Sequence, residues 1–211
     1  MYLDKIGFDR YNCIEQTFAC QRELTKPRLL NEVNTTRADY INDESFMLIL
    51  KALMPQNRLA LEVSLSTGLR IDDVLHIKTT QIEKDRFTIK EMKTGKRRRI
   101  RIPKHLREEM LRNAGRYYVF EHRLDPKKPR TRQAVNKDLK RACDCFRVSG
   151  VNITPHTARK IYSVGLLEKL GSVKKVQQNM NHRNKETTEI YCNSDIITAK
   201  ATKRRKVKIP K

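Results

Sequence analysis

No stretch of the 211-residue chain stays apolar long enough to cross a bilayer, and the opening MYLDKIGFDRYN lacks the basic-then-apolar order of an export signal. Neither membrane insertion nor export is expected. Five cysteines, Cys13, Cys20, Cys143, Cys145 and Cys192, make an odd count without C-x-x-C spacing. That argues against a disulfide framework and a zinc site, and points to free thiols in a reducing cytoplasm. No carboxylate or His/Cys cluster with metal-ligand spacing stands out. Repeats and low-complexity linkers are absent as well.

Acids are scarce after the first segment. Lys and Arg total 46 against 24 Asp and Glu, a formal charge of +22. Residues 1–42 hold six of each sign and net to zero, so the excess belongs entirely to residues 43–211. Such an excess is the footprint of a surface for a polyanion. Composition alone fits a ribosome-associated or general RNA-binding protein as well as a DNA-binding one. A hydrophobic fraction of 38% and a charged fraction of 33% fit a globular chain with one good core.

Local patterns are mainly helical. A helix is expected around Cys13–Leu24, ended by Pro27. Asn42 or Asp43 can cap a helix whose apolar stripe is Phe46, Ile49, Leu50 and Leu53, stopped near Pro55. A second runs through Leu59–Leu65 to a stop at Gly68, and Ile71–Leu75 opens a short third. Over residues 86–102 the period becomes two. Phe87 and Ile89, then Ile100 and Ile102, alternate with polar neighbours around Thr94-Gly95, a β-hairpin pattern. Helices follow at Lys104–Arg112 and about Gln133–Val148, the latter carrying Cys143 and Cys145 and burying Val135, Leu139, Ala142 and Phe146. Another starts at Thr154-Pro155, a short one runs from Ser172 to Met180, and one more covers Thr187–Tyr191.

Three segments carry chemistry. The first is Ser66-Thr67-Gly68-Leu69-Arg70-Ile71-Asp72-Asp73, the second Pro155-His156-Thr157-Ala158-Arg159-Lys160. The third is Met180-Asn181-His182 with Glu186-Thr187-Thr188-Glu189-Ile190-Tyr191 after it, and Lys93-Thr94-Gly95-Lys96 lies on the hairpin. Each is weak alone; four in this order, on these element types, are specific together. The set resembles the tyrosine site-specific recombinases of the phage-integrase kind, over roughly Asp43 to Asp195.

The resemblance implies a mixed α/β, mainly helical catalytic domain with a small antiparallel sheet. It spans 43–195, after a short extension at 1–42 and before a basic tail at 196–211. It implies Arg70, Lys93, His156, Arg159, His182 and Tyr191 as the catalytic set, with Asp73 and Lys160 in support. The chemistry accounts for those residue types. A phosphodiester attacked by a phenol gathers charge on its non-bridging oxygens, which two guanidiniums, Arg70 and Arg159, can clamp. His156 and Arg159, three apart on a helix, would face one phosphate. Tyr191 is the nucleophile, His156 a candidate base for its proton, His182 a donor to a phosphate oxygen. Lys93, at the hairpin tip, would protonate the departing 5′ oxygen, with Lys96 the competing lysine. The phosphotyrosine bond stores the energy of the cut linkage, so no cofactor is implied. Lys96, Arg97, Arg98, Arg99 and Arg101 are assigned to phosphate contact rather than catalysis. His76, His105 and His122 read as surface residues, and Tyr117, Tyr118 and Tyr162 as core or interface residues.

Lys160 stands where the family commonly has His. Asn181 replaces the usual Gly before His182, which is tolerable with a negative φ or with Asn in the left-handed region. Residues 1–42 look too short and too neutral for the helical domain that closes around DNA opposite the catalytic domain. The function implied is integration, excision or inversion of DNA, with double-stranded DNA as partner and a homotetramer on two sites. An accessory DNA-bending protein is a further expected partner. The setting would be the cytoplasm, at the nucleoid, or a host cell if the enzyme is virus-encoded. The competing readings are a type IB topoisomerase-like enzyme that relaxes DNA and a non-catalytic DNA-binding regulator with the same fold.

Overall fold

The first element owes its start to Asn42, whose side chain accepts from the Ser45 backbone N–H (3.2 Å) and caps helix α1, Asp43–Leu50. Phe46, Ile49 and Leu50 form its fully buried stripe. The computed structural model of the protein describes residues 37–203 and Ile209, within one unit running Thr35–Lys211. The helix expected around Cys13–Leu24 lies outside the described residues. Pro55, read from the sequence as a stop, is also a start: it is the first residue of α2, Pro55–Thr67. Its missing N–H and fixed φ suit that position. The N-terminus of α2 is satisfied from afar, because Asp138 accepts from Met54 N (2.8 Å) and Asn57 Nδ2 (2.7 Å).

The short helices α3, Ile71–Leu75, and α4, Thr79–Ile82, lead into strands β1, Arg86–Lys90, and β2, Arg97–Arg101. The two pair antiparallel, with Phe87 opposite Ile100 and Ile89 opposite Arg98. Then come α5, Lys104–Asn113, and α6, Arg132–Cys145, capped by Thr131. The latter ends earlier than the sequence pattern implied, because Arg147 turns into the left-handed region at φ 53. Helix α7, Pro155–Leu170, opens on Thr154 with Pro155 in its first turn. It is followed by α8, Val173–Asn179, α9, Lys185–Cys192, and α10, Ser194–Thr202.

The molecule is thus mainly helical with one small antiparallel sheet, as the sequence reading has it. One core gathers α1–α3, the inner face of the hairpin, α5, α6 and the start of α7. Each fully buried Leu, Ile or Phe there contributes roughly 1.5–3 kcal/mol. A second cluster, Val176, Met180 and Cys192, packs under the far half of α7, with Tyr162, Leu166 and Tyr191 against it. Helix α7 therefore touches both clusters and sets the distance between them.

Two boundaries differ from the sequence reading. Ala38 and Ile41 are buried, Asp39 N donates to Asn152 O (2.8 Å), and Tyr40 N donates to Thr198 Oγ1 (2.9 Å). Ala38–Ile41 thus pack with the helices that follow. The expected basic tail at 196–211 begins as helix: α10 runs to Thr202 and buries Thr198. Of that tail's seven cations, Lys200 and Lys203 fall among the described residues.

Gly68 ends α2 at φ 66, and a Cβ there would lie 2.3 Å from Tyr162 Cδ1. A non-Gly residue in that region costs roughly 1–2 kcal/mol before any clash. Gly68→Ala is expected to lower the Tm by roughly 5 °C or more. Calorimetry showing an unchanged Tm would contradict this account of the turn.

Candidate active site

Residues from four places in the sequence meet at the start of α7. Thr154 Oγ1 accepts from the His156 backbone N–H (3.2 Å) and seats the first turn. Three residues on, Arg159 is 1% exposed. The spacing suggested that the two side chains share one outlook, and the structure separates them: His156 is exposed beside a cavity, whereas Arg159 points inward.

A buried guanidinium must have partners. Arg159 donates through Nη1 to Gly68 O, and through Nη2 to Met180 O (3.2 Å) and His182 Nε2 (3.0 Å). Burial, then the nearby Arg70 charge, brings its pKa down to about 10, so it stays cationic at neutral pH. Its contacts bind the α2–α3 turn to the α8–α9 turn. A phosphate would reach it only across this network.

Asn181 sits at φ 56, the left-handed alternative that the sequence left open. The turn directs His182 inward, where the residue is 6% exposed. Arginine can only donate, so His182 Nε2 accepts and Nδ1 carries the proton. That Nδ1–H donates to Thr188 Oγ1 (3.1 Å), and the Thr188 hydroxyl donates to Asn184 O (3.4 Å). Burial first, then the Arg159 charge, lowers the imidazole to about 3. His182 in this state is a neutral acceptor tied to Arg159; donation to a phosphate oxygen, anticipated from the motif, would need the other tautomer.

The same helix that carries Thr188 carries Tyr191. Its ring lies edge-on to His182, with centroids 5.3 Å apart, and its hydroxyl is 3.4 Å from His156 Nδ1. Desolvation, reinforced by the charges of Arg159, Arg132, Arg70 and Lys93, lowers the His156 pKa. A neutral imidazole beside a phenol can take its proton. Arg37, Arg132, His156, Lys160 and Tyr191 line an adjoining cavity of about 430 Å³. Arg132, which motif reading missed, also pairs with Asp72 at 3.5 Å. Only its position at the α6 start, next to the cap Thr131, could have drawn notice.

The hairpin contributes from the other side. Arg70, just ahead of α3, donates through Nη1 to Glu91 Oε2 at 2.8 Å. Asp73 Oδ1 accepts from Met92 N (2.8 Å), fixing the backbone before Lys93. Burial, with Glu91 nearby, raises the Asp73 pKa. Lys93 and Lys96 are exposed at the tip. Arg97, Arg99 and Arg101 are exposed too, with Arg101 Nε 3.4 Å from Asp85. Arg98 departs from the proposed phosphate-binding row. It shares the buried face with Ile100 and donates through Nη2 to Thr67 O (2.7 Å) and Asn179 Oδ1 (3.2 Å). The strand's period of two, which puts 98 in step with 100 and 102, carried that signal. The same parity, 87, 89, 91, pointed Glu91 inward.

Lys160 is 3% exposed and donates to Ala38 O. Burial, then the Arg37 charge, lowers its pKa to about 8. It fastens α7 to the segment before α1. Tyr162, expected in a core or interface, donates to Asn179 Oδ1 (3.0 Å) and covers Gly68. Among the described residues no group of three or more His, Cys, Asp or Glu could hold a metal ion.

The sequence profile of the Phage integrase family matches residues 28–196. Tyrosine recombinase XerA of Pyrococcus furiosus is 30% identical over 156 residues, covering 70% of this chain and 52% of the relative. The chain thus spans about half the length of the curated relatives it matches. The fold is similar to that of a lambda integrase dimer bound to a COC' core site, with a TM-score of 0.65 and 19% identity over 84% of this chain and 64% of that one. A lambda integrase tetramer bound to a Holliday junction gives a TM-score of 0.63 and 18% identity, over 93% of this chain and 58% of that one.

Transfer of the Tyr191 proton to His156 requires the imidazole to be neutral. Because the His156 pKa lies below its ordinary 6.5, a rate that depends on this transfer rises with pH below 6.5 and is flat around neutrality. The check is the rate of covalent capture of DNA by Tyr191 at subsaturating DNA, which reports the free enzyme. An ascending limb centred above pH 7 would remove His156 as the base.

Proposed function

Because the chain belongs to the Phage integrase family, we propose that it is a tyrosine recombinase acting in site-specific DNA recombination through a 3′-phosphotyrosyl intermediate. The observation that carries the reading is the Tyr191 hydroxyl 3.4 Å from an imidazole held neutral among Arg70, Arg132 and Arg159. The Tyr191 oxygen attacks phosphorus in line, and the phosphorus–5′-oxygen bond breaks as the new bond forms. The phenolic proton passes to His156. The 5′ oxygen, a poor leaving group, takes a proton from Lys93. Arg70 and Arg159 offset charge on the non-bridging oxygens, with the Arg159–His182 contact loosening so that Arg159 reaches the phosphate and His182, in the tautomer that carries its proton on Nε2, donates to an oxygen. Attack by a second 5′ hydroxyl reverses every step, so strand exchange needs no external energy.

Double-stranded DNA is the substrate, engaged by Lys96, Arg97, Arg99 and Arg101 on the outer face of the hairpin. Four protomers would join two sites, with the segment after Tyr191 docking on a neighbour. No helix among the described residues is long and apolar enough to cross a membrane. The reading places the enzyme with DNA in the cytoplasm, or in a host cell if virus-encoded.

Tyr191→Phe should bind DNA normally and form no adduct that survives SDS. Incubating the wild-type protein with nicked genomic DNA and sequencing the trapped fragments identifies the site. An adduct formed by the Phe variant would sink the assignment.

Lys93→Ala should slow single-turnover cleavage by roughly 10²–10⁴-fold, as for loss of a general acid. The defect should vanish when sulfur replaces the bridging 5′ oxygen, because a thiolate leaves without a proton. Lys96→Ala should weaken binding with no sulfur rescue. Rescue of Lys96→Ala instead would exchange the two roles, and rescue of neither would move the acid elsewhere.

A further inference from the structure

Glu91 is the fully buried carboxylate of the site, at 0% exposure, and no motif accounts for it. It lies just past β1 on the inner face of the hairpin, where an apolar residue would continue the Phe87, Ile89 pattern. An unpaired charge there would be strongly destabilising. Its partners come from each part of the site. Oε2 accepts from Arg70 Nη1 (2.8 Å) and from Thr94 Oγ1 (3.0 Å), the residue after Lys93. Oε1 accepts from Asn181 Nδ2 (3.4 Å), the residue before His182, and stands 4.0 Å from Arg98 Nη1. The Glu91 carbonyl accepts from Gly95 N (2.8 Å), closing the tip onto its base.

We propose that Glu91 is a positioning residue: it aims the Arg70 guanidinium and couples that aim to the Lys93 tip and the Asn181–His182 turn. The contact is one-sided. Among the described residues Arg70 is held through Nη1, which leaves Nε and Nη2 for a phosphate oxygen. A carboxylate that took both edges of the fork would compete with the phosphate; this one holds Nη1, and the Arg70 side chain keeps 16% of its surface exposed. The fixed fork of arginine turns a one-point hold into an orientation of the whole plane, which a lysine could not do. Arg183 Nη2 donates to Thr94 O (3.5 Å) and closes the circuit between the tip and the turn after His182.

The inference rests on the recombinase reading, and one experiment separates the two. The substrate is a duplex carrying a cleavage site recovered by adduct sequencing, with sulfur in place of one or the other non-bridging oxygen at the cut phosphate. Single-turnover adduct formation is measured on the two stereoisomers. Arg70 serves one of the two oxygens, so Arg70→Lys should change the ratio of the two rates. Glu91→Gln, which keeps the shape and removes the charge, should slow cleavage roughly 10-fold, the loss of one charge-assisted bond. It should change the stereoisomer ratio in the same direction as Arg70→Lys, with DNA affinity unchanged. Glu91→Asp, which keeps the charge and withdraws it by one methylene, should give the same signature more weakly and serves if the Gln variant does not fold. A general loss of structure slows both isomers alike, so an unchanged ratio in a folded variant overturns the role of Glu91 and leaves the recombinase reading standing. Failure of the wild-type protein to form an adduct removes both.

Discussion

A fully buried guanidinium is the constraint on which the site depends. Arg159 leaves water at the start of α7 and must find acceptors, and it finds them on two turns distant in sequence: Gly68 O and, beyond α8, Met180 O and His182 Nε2. Satisfying that one side chain brings the end of α2 and the approach to α9 to the same place. Both turns are shaped for it by backbone in the left-handed region, at Gly68 and Asn181. Tyr191, one turn beyond Thr188 on α9, arrives beside His156 as a consequence.

The charges around this centre are arranged with a surplus. Arg70, Arg98 and Arg159 face inward with Asp73 and Glu91 as the buried acids, so the cluster keeps one net positive charge in poorly solvated surroundings. Lys93 and Arg132 add to it from the rim. Burial, and that surplus after it, lowers the pKa values of His156 and His182 and keeps both imidazoles neutral. It also leaves room for one anion. A phosphate entering here would balance the cluster, which is why the same groups that hold the fold together are suited to stabilising charge as it develops.

Arginines of the hairpin divide by parity. Arg97, Arg99 and Arg101 point to solvent and give the outer face its charge, whereas Arg98 is drawn in to close the end of α2 and to offset Glu91. A run of four basic residues thus serves two purposes. Reading it as one surface patch overlooked the period of the strand, even though Ile100 and Ile102 marked the buried face.

Sequence alone determined the fold class, the hairpin with its Thr94-Gly95 tip, the capped starts of α1 and α7, and the motif residues of the site, though not Arg132 or Glu91. These are local or motif-borne properties: caps, periods and spacings act within a few residues, and four ordered motifs were specific enough to name a family. Tertiary structure alone decided what each gathered residue faces. It turned Arg159 inward and set His182 Nε2 against that guanidinium, with Nδ1 toward Thr188. It packed Ala38–Ile41 with the catalytic unit through Lys160 and Asn152, and extended α10 to Thr202. It also placed Glu91 at the node. The physical reason is that the state of a buried polar group is set by partners far away in sequence. The acceptors of Arg159 lie 91 and 21 to 23 residues away, and no local pattern encodes them.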